Sequence, residues 1–272
     1  MSISDQPLLS VANVSLRFRG VVALDGVSLD VPPGSLYALV GPNGAGKTSL
    51  LNVISGVFPQ SEGTVRFRGR DISGVPLHRR VRIGIGRTFQ GVELVPELTV
   101  LQNVMLGRHH LMKRGALACG IFFGPGRREE IEHRLAAEQA IEFFELERYR
   151  NVAAGSLPYG VQKIVGLARA ICTEPQLLLL DEIASGLNHQ EKENVSRFML
   201  RMKHSRGITM IWVEHDVRMV SELADRMSVL DYGRLIAQGE PDAVLSDPKV
   251  LEAFVGRNAK LQTDDRKRAT GP

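Results

Sequence analysis

Five apolar residues, Leu36-Tyr37-Ala38-Leu39-Val40, run directly into Gly41-Pro42-Asn43-Gly44-Ala45-Gly46-Lys47-Thr48. A short apolar run of this kind reads as a buried strand, and G-x-x-x-x-G-K-[ST] between a strand and a helix is the setting that a phosphate-binding loop requires. Glycines at 41, 44 and 46 let the backbone bend with its N–H groups pointing inward, a path that a Cβ at each turn would obstruct. Those N–H groups, with the N-terminus of the helix that follows, form a nest for phosphate oxygens. Lys47 then offers a cation to the β- and γ-phosphates, and Thr48 a hydroxyl to Mg²⁺. The competing reading is an ordinary glycine turn; the full motif in its strand-to-helix setting speaks against it. The loop predicts an α/β fold that binds a nucleoside triphosphate.

Composition narrows the class without naming it. A chain of 272 residues, 43% apolar and 24% charged, has room for one large domain or two small ones and matches an ordinary globular protein. No segment approaches the roughly 20 apolar residues that span a bilayer. Met1 to Pro7 lacks the basic and apolar regions of a signal peptide, so the chain is expected in the cytosol. Cys119 and Cys172 lie far apart without C-x-x-C spacing and read as buried apolar residues. Part of the net charge of +4 sits in 257–272, which reads as a polar, disordered tail and not as a nucleic-acid arm.

Along the chain, 8–40 alternate as strands, Thr48 to Val57 read as a helix, and Thr64 to Arg68 as another strand. The middle has helical spacing at 99–110, 128–147 and 160–172, with Leu135, Ala136, Ala140, Ile141, Phe144 and Leu146 as the apolar face of the second helix. Gly115 to Gly126 is a glycine-rich apolar interruption, read as a packed loop or a docking surface. Leu177 to Leu180 and Ile208 to Val213 read as buried parallel strands joined by a helix at about 189–204. A strand pair follows at 226–237, then short helices near 240–246 and 248–256.

Four further positions carry chemistry. Asp181 and Glu182 end the run Leu177-Leu178-Leu179-Leu180, where an acid faces the ligand crevice of an α/β sheet. Asp181 is placed to hold Mg²⁺, through waters, and Glu182 to accept a proton from a water attacking the γ-phosphate. His215, just past the second buried strand, is placed to hydrogen-bond the γ-phosphate and that water. Gln90 offers a neutral amide to the metal or its water; the other histidines read as solvated or structural.

With Leu157-Pro158-Tyr159-Gly160-Val161-Gln162-Lys163 and Ala184-Ser185-Gly186-Leu187-Asn188, these elements stand in the order of the ATP-binding cassette superfamily, which the chain resembles over about 8–256. The resemblance implies a P-loop α/β core with an antiparallel β subdomain and an inserted helical subdomain at about 95–172, flanked by tails 1–7 and 257–272. It implies that Phe18 stacks on adenine and that Gly41, Pro42, Asn43, Gly44, Ala45, Gly46, Lys47, Thr48 and Ser49 hold ATP. Thr48, Gln90 and Asp181 would serve Mg²⁺. Glu182 looks like the general base, His215 like the switch histidine, and Gln90 like the link to a membrane subunit. Pro158, Tyr159, Gly160 and Val161 look like the signature that faces ATP on a second cassette.

Gly86-Arg87-Thr88-Phe89-Gln90, Val213-Glu214-His215-Asp216 and the ending Glu252-Ala253-Phe254-Val255-Gly256 are most similar to cassettes of branched-chain amino-acid importers. That implies an ATPase on the inner face of the membrane, working with a second cassette, two polytopic permeases and, indirectly, a substrate-binding protein. Urea or amide import, lipopolysaccharide export and a non-transport cassette are the alternatives; a kinase or GTPase lacks its lid or N-K-x-D here. The chain departs from the family pattern at Pro158, Tyr159 and Val161, at Ile183 in place of proline, and at Asn188 in place of aspartate. Pro158 has neither hydroxyl nor N–H, leaving the N–H groups of Tyr159, Gly160 and Val161 for a phosphate. Proline is expected at the first helical position, so the helix itself forms.

Overall fold

The computed structural model describes residues 6–88, 91, 93–111 and 125–254, with 125–128 described by backbone alone. In chain order the strands and helices are β1 (Leu9–Phe18), β2 (Val21–Val31), β3 (Leu36–Val40), α1 (Lys47–Ser55), β4 (Glu62–Phe67), β5 (Arg70–Asp71), α2 (Leu77–Arg82), β6 (Ile85–Arg87) and α3 (Val100–Leu106). There follow α4 (Pro125–Phe143), α5 (Tyr159–Ile171), β7 (Leu177–Asp181), α6 (His189–Arg206), β8 (Thr209–Val213), α7 (Val217–Leu223), β9 (Arg226–Asp231), β10 (Arg234–Gly239) and α8 (Pro241–Leu245). Residues 248–254 are also helical. The described residues fall into two compact units, one from Met1–Val75 and Thr209–Pro272, the other from Pro76–Ile208.

The first unit holds two sheets. In the antiparallel one the order is β2-β1-β4-β5, with Leu9, Val11, Val14 and Leu16 of β1 buried. In the other, β3 lies between β8 and β9 and is parallel to both, and β10 closes the row as a hairpin on β9. All five residues of β3 and all five of β8 are buried, as continuous apolar runs on a two-faced sheet require. The strand expectations for 8–40, 64–68, 208–213 and 226–237 hold to within a few residues. The antiparallel sheet and the P-loop-bearing parallel strands are the α/β architecture expected.

The second unit pairs β6 with β7 in parallel, Ile85 beside Leu177 and Arg87 beside Leu179. The same unit holds α2, α3, α4, α5 and α6. The buried positions are His133, Ala137, Ala140, Ile141 and Phe143 on α4 and Phe144 just past its end. This corrects the expected face: Leu135 is 57% exposed and Ala136 is half-buried. Two residues are about 200° of helix, so Leu135 points away from the stripe set by 133, 137, 140 and 144. His133, one of the histidines read as solvated or structural, is buried, and Arg108 Nε donates to its Nδ1 at 3.1 Å. Phe144 packs on Phe198 of α6, centroids 5.1 Å apart, and Arg197 grips Glu145 with two hydrogen bonds of 2.6 and 2.8 Å. Met199 and Met202 fill the core, and Cys172 is buried as expected. Gln90, Phe89, Cys119, most of Gly115–Gly126 and the 257–272 tail lie outside the described residues.

Candidate functional site

In the first unit the glycine loop leaves the C-terminal end of β3 and enters α1, whose first turn has no side-chain cap. The positive end of α1 therefore opens onto the loop with no side chain capping it. The structure adds a reason for the glycines that the motif alone hides. A Cβ on Gly41 would lie 2.1 Å from the Leu230 carbonyl oxygen of β9, and one on Gly46 would lie 2.7 Å from the Ala23 carbonyl oxygen of β2. Both also have positive φ, 148° and 104°. Gly233, in the β9–β10 turn, donates to the Ala45 carbonyl at 2.9 Å and accepts from Asp25 N–H at 2.9 Å. The loop is thus held in shape by β2 and the β9–β10 turn.

Within that loop Lys47 is buried and its Nζ donates to the carbonyls of Gly41 and Pro42 at 2.7 and 3.0 Å. Asn43, Gly44 and Thr48 are exposed, and Pro42, Gly46 and Ser49 are half-buried. Phe18 ends β1 at a two-residue turn, Arg19 and Gly20, both of positive φ. It is 42% exposed and meets Phe58 edge to face, centroids 5.2 Å apart, so one ring face stays available for stacking. His215 follows β8. Since Leu39 pairs with Val213, His215 and Gly41 leave the same end of neighbouring parallel strands. His215 is exposed, while Glu214 before it is buried.

In the second unit Asp181 ends β7 and is 1% exposed. Arg87, on the neighbouring β6, donates from Nη2 to Asp181 Oδ2 at 3.1 Å. A buried carboxylate without a cation is strongly disfavoured, and the guanidinium offsets its charge. Glu182 is half-buried at φ 49°, a left-handed conformation uncommon for a residue with a side chain. Its carbonyl accepts from Ser185 N–H at 3.2 Å and lies 3.5 Å from Lys163 Nζ. Ile183, which has an N–H and a free φ where proline has neither, is buried at 2% exposure in this turn.

The signature segment starts α5. Pro158 stands at the N-cap (φ −53°, ψ 145°), one residue before the helical position that the sequence suggested. Its carbonyl accepts the first helical bond from Gln162 N–H at 3.0 Å, and no side chain caps the N–H groups that follow. Proline fits because an extended N-cap needs no N–H of its own. Tyr159, 46% exposed, covers Gly186, where a Cβ would lie 3.2 Å from the ring. Lys163 Nζ lies 5.4 Å from that ring's centroid. Gly160 is buried against Glu191, whose carboxylate and Asn188 form the capping box of α6. Asn188 thus acts as a helix cap, legible in Asn188-His189-Gln190-Glu191.

A family model for ABC transporter proteins matches residues 24–185. The chain is 34% identical over 252 residues to the high-affinity branched-chain amino acid transport ATP-binding protein BraF of Pseudomonas aeruginosa, covering 92% of this chain and 98% of that one. It is 35% identical to LivG of Escherichia coli, with the same coverage. A nucleotide-free ATP-binding cassette from an ABC transporter superposes with a TM-score of 0.80 at 33% identity, over 91% of this chain and 98% of that one.

The chain belongs to the ABC transporter family. It is an ATP-binding cassette that hydrolyses ATP to power transport. The oxygen donors it offers, the Thr48 hydroxyl and the Asp181 carboxylate, are the hard type that Mg²⁺ takes. Next to the signature helix, the second unit carries a groove of about 430 Å³ lined by Arg87, Thr88, Gly91, His109, His110 and Lys163 among others. Thr88 and Gly91 flank Gln90 in sequence. Arg87, Lys163 and Glu191 escape sequence reading as site residues, because only folding brings them to Asp181, Glu182 and Gly160. The one available signal is an arginine on a buried strand, Arg87, which needs an anion beside it.

Proposed function

We propose that this cassette powers the uptake of branched-chain or other hydrophobic amino acids. The observation that carries the reading is the identity of about one residue in three over 98% of BraF and LivG, both named for branched-chain amino acid transport. Phe18 stacks on adenine, and the N–H groups of Gly41 to Ser49 with Lys47 bind the phosphates. Thr48 and Asp181, with Gln90, hold Mg²⁺, which when bound neutralises charge on the β- and γ-phosphates. Glu182 accepts the proton of the attacking water and His215 orients that water. Pro158 to Val161 present the positive end of α5 to ATP on a second cassette. Two cassettes close on ATP and reopen after hydrolysis, on the cytoplasmic face of the membrane. The groove beside Thr88 and Gly91 receives a cytoplasmic helix of a permease.

The test is transport in vesicles that hold the cassette, its partner cassette and two permeases. Leucine, isoleucine or valine with the binding protein is expected to raise ATPase activity and accumulate inside. Stimulation by urea or a short amide instead would overturn the substrate assignment.

A further inference from the structure

Arg87 is the least expected charge near the catalytic acids. It sits on β6 beside Leu179, two residues ahead of Asp181 on β7, so the strand register fixes where its guanidinium reaches. Its side chain is 7% exposed, Asp181 is 1% exposed, and Nη2 lies 3.1 Å from Oδ2. In a pair this dry each charge answers the other, and removing one partner of a buried pair is strongly destabilising. Asp181 is also the carboxylate assigned to Mg²⁺, so one side chain faces two cations.

We propose that Arg87 is a positioning residue that serves as the resident counter-cation of Asp181 and that Mg²⁺ competes with it for that carboxylate. The proposal rests on Asp181 being the metal-facing acid. Arg87 holds the carboxylate in one orientation and supplies its counter-charge, and the same charge repels an incoming divalent ion. The site thereby trades metal affinity for a carboxylate held in one direction. Lysine in its place keeps a charge but loses the planar fork that fixes the carboxylate's direction.

The experiment compares wild type, Arg87→Met, Arg87→Lys, Asp181→Asn and Arg87→Met/Asp181→Asn by thermal melting and by Mn²⁺ titration of the ADP complex followed by electron paramagnetic resonance. Arg87→Met is expected to lower the melting temperature of the metal-free chain by roughly 10 °C. It is expected to bind Mn²⁺ about tenfold more tightly, because a nearby positive charge has gone. Arg87→Lys stays near wild type in affinity. The double variant, with neither charge, melts within a few degrees of wild type. A tightened Mn²⁺ affinity in Arg87→Met supports the proposal; an unchanged or weaker one overturns it. If Arg87→Met does not fold, a folded double variant supports it and an unfolded one overturns it. Asp181→Asn separates the two readings. Full Mn²⁺ affinity in that variant removes Asp181 from the metal site, whereas lost affinity there with no gain in Arg87→Met removes only the role of Arg87.

Discussion

Gly160 gives up a side chain to Glu191: a Cβ at position 160 would stand 2.3 Å from Glu191 Oε1. The glutamate is held there because its other oxygen accepts from Asn188 N–H at 2.9 Å, in the capping box of α6. Gly160→Ala is therefore expected to push Glu191 out of its cap and to cost about 1 kcal/mol. In a Glu191→Ala background the same substitution should cost little, since the clashing carboxylate is gone. Urea unfolding of the four members of this cycle measures the coupling. Equal losses in both backgrounds would show that the contact is not what keeps position 160 a glycine.

Glu182 combines a proposed chemical role with a backbone conformation that disfavours side chains. Glu182→Gln is expected to keep ATP binding and lower turnover by about 10²-fold or more, as loss of a general base does. Glu182→Gly and Glu182→Ala should both be inactive, but the glycine variant should be the more stable by roughly 1 kcal/mol, because φ is 49° there. Undiminished hydrolysis in Glu182→Gln sinks the assignment of the base. An alanine variant as stable as the glycine one sinks the strain.

Pro158 fills an N-cap position without a capping side chain. Serine there adds an acceptor for the free N–H groups of α5 and a hydroxyl for a phosphate. Pro158→Ser is expected to raise stability by about 1 kcal/mol. In an assembly whose active site uses this signature, it should also raise ATPase activity up to about tenfold, the worth of one charge-assisted hydrogen bond. The gain in stability without any gain in activity, in every cassette pairing, would mean that Pro158 faces a silent site.

Burial pushes the Cys172 thiol up to about 12, against the opposing charge of Arg108. The reactive form is the thiolate, so in a Cys119→Ser background the folded chain should resist maleimide and iodoacetamide at pH 8 and react once unfolded. The sign for stability follows. Between the ordinary thiol value of 9.0 and about 12, the unfolded chain loses its proton first, so stability falls as pH rises through that window. Rapid labelling of the folded protein would contradict the burial of Cys172.

Much of the fold can be read from local pattern. The strand-to-glycine-to-helix passage at 36–48 and the leucine run before Asp181 announce themselves because their chemistry lies in consecutive residues. Helix α4 shows where local reading stops. Its apolar residues recur at several spacings, and only contact with α3 and α5 chooses the stripe that buries His133 and exposes Leu135. Pro158 is a smaller case: sequence predicts a helix start, while the extended ψ that makes it a cap belongs to the preceding chain path.

By itself the sequence determined the phosphate loop, the acids at the end of β7, the histidine after β8 and the family order of the motifs. Each is a short segment whose backbone geometry follows from glycine, proline or an apolar run. Tertiary structure decided which groups share charge and space with those segments. Arg87 reaches Asp181 across 94 residues of chain, Lys163 reaches the Glu182 carbonyl, and Leu230 and Ala23 forbid side chains at Gly41 and Gly46. Such pairings depend on strand register and helix packing, in which residues far apart in the chain exclude water together, and no local pattern encodes them.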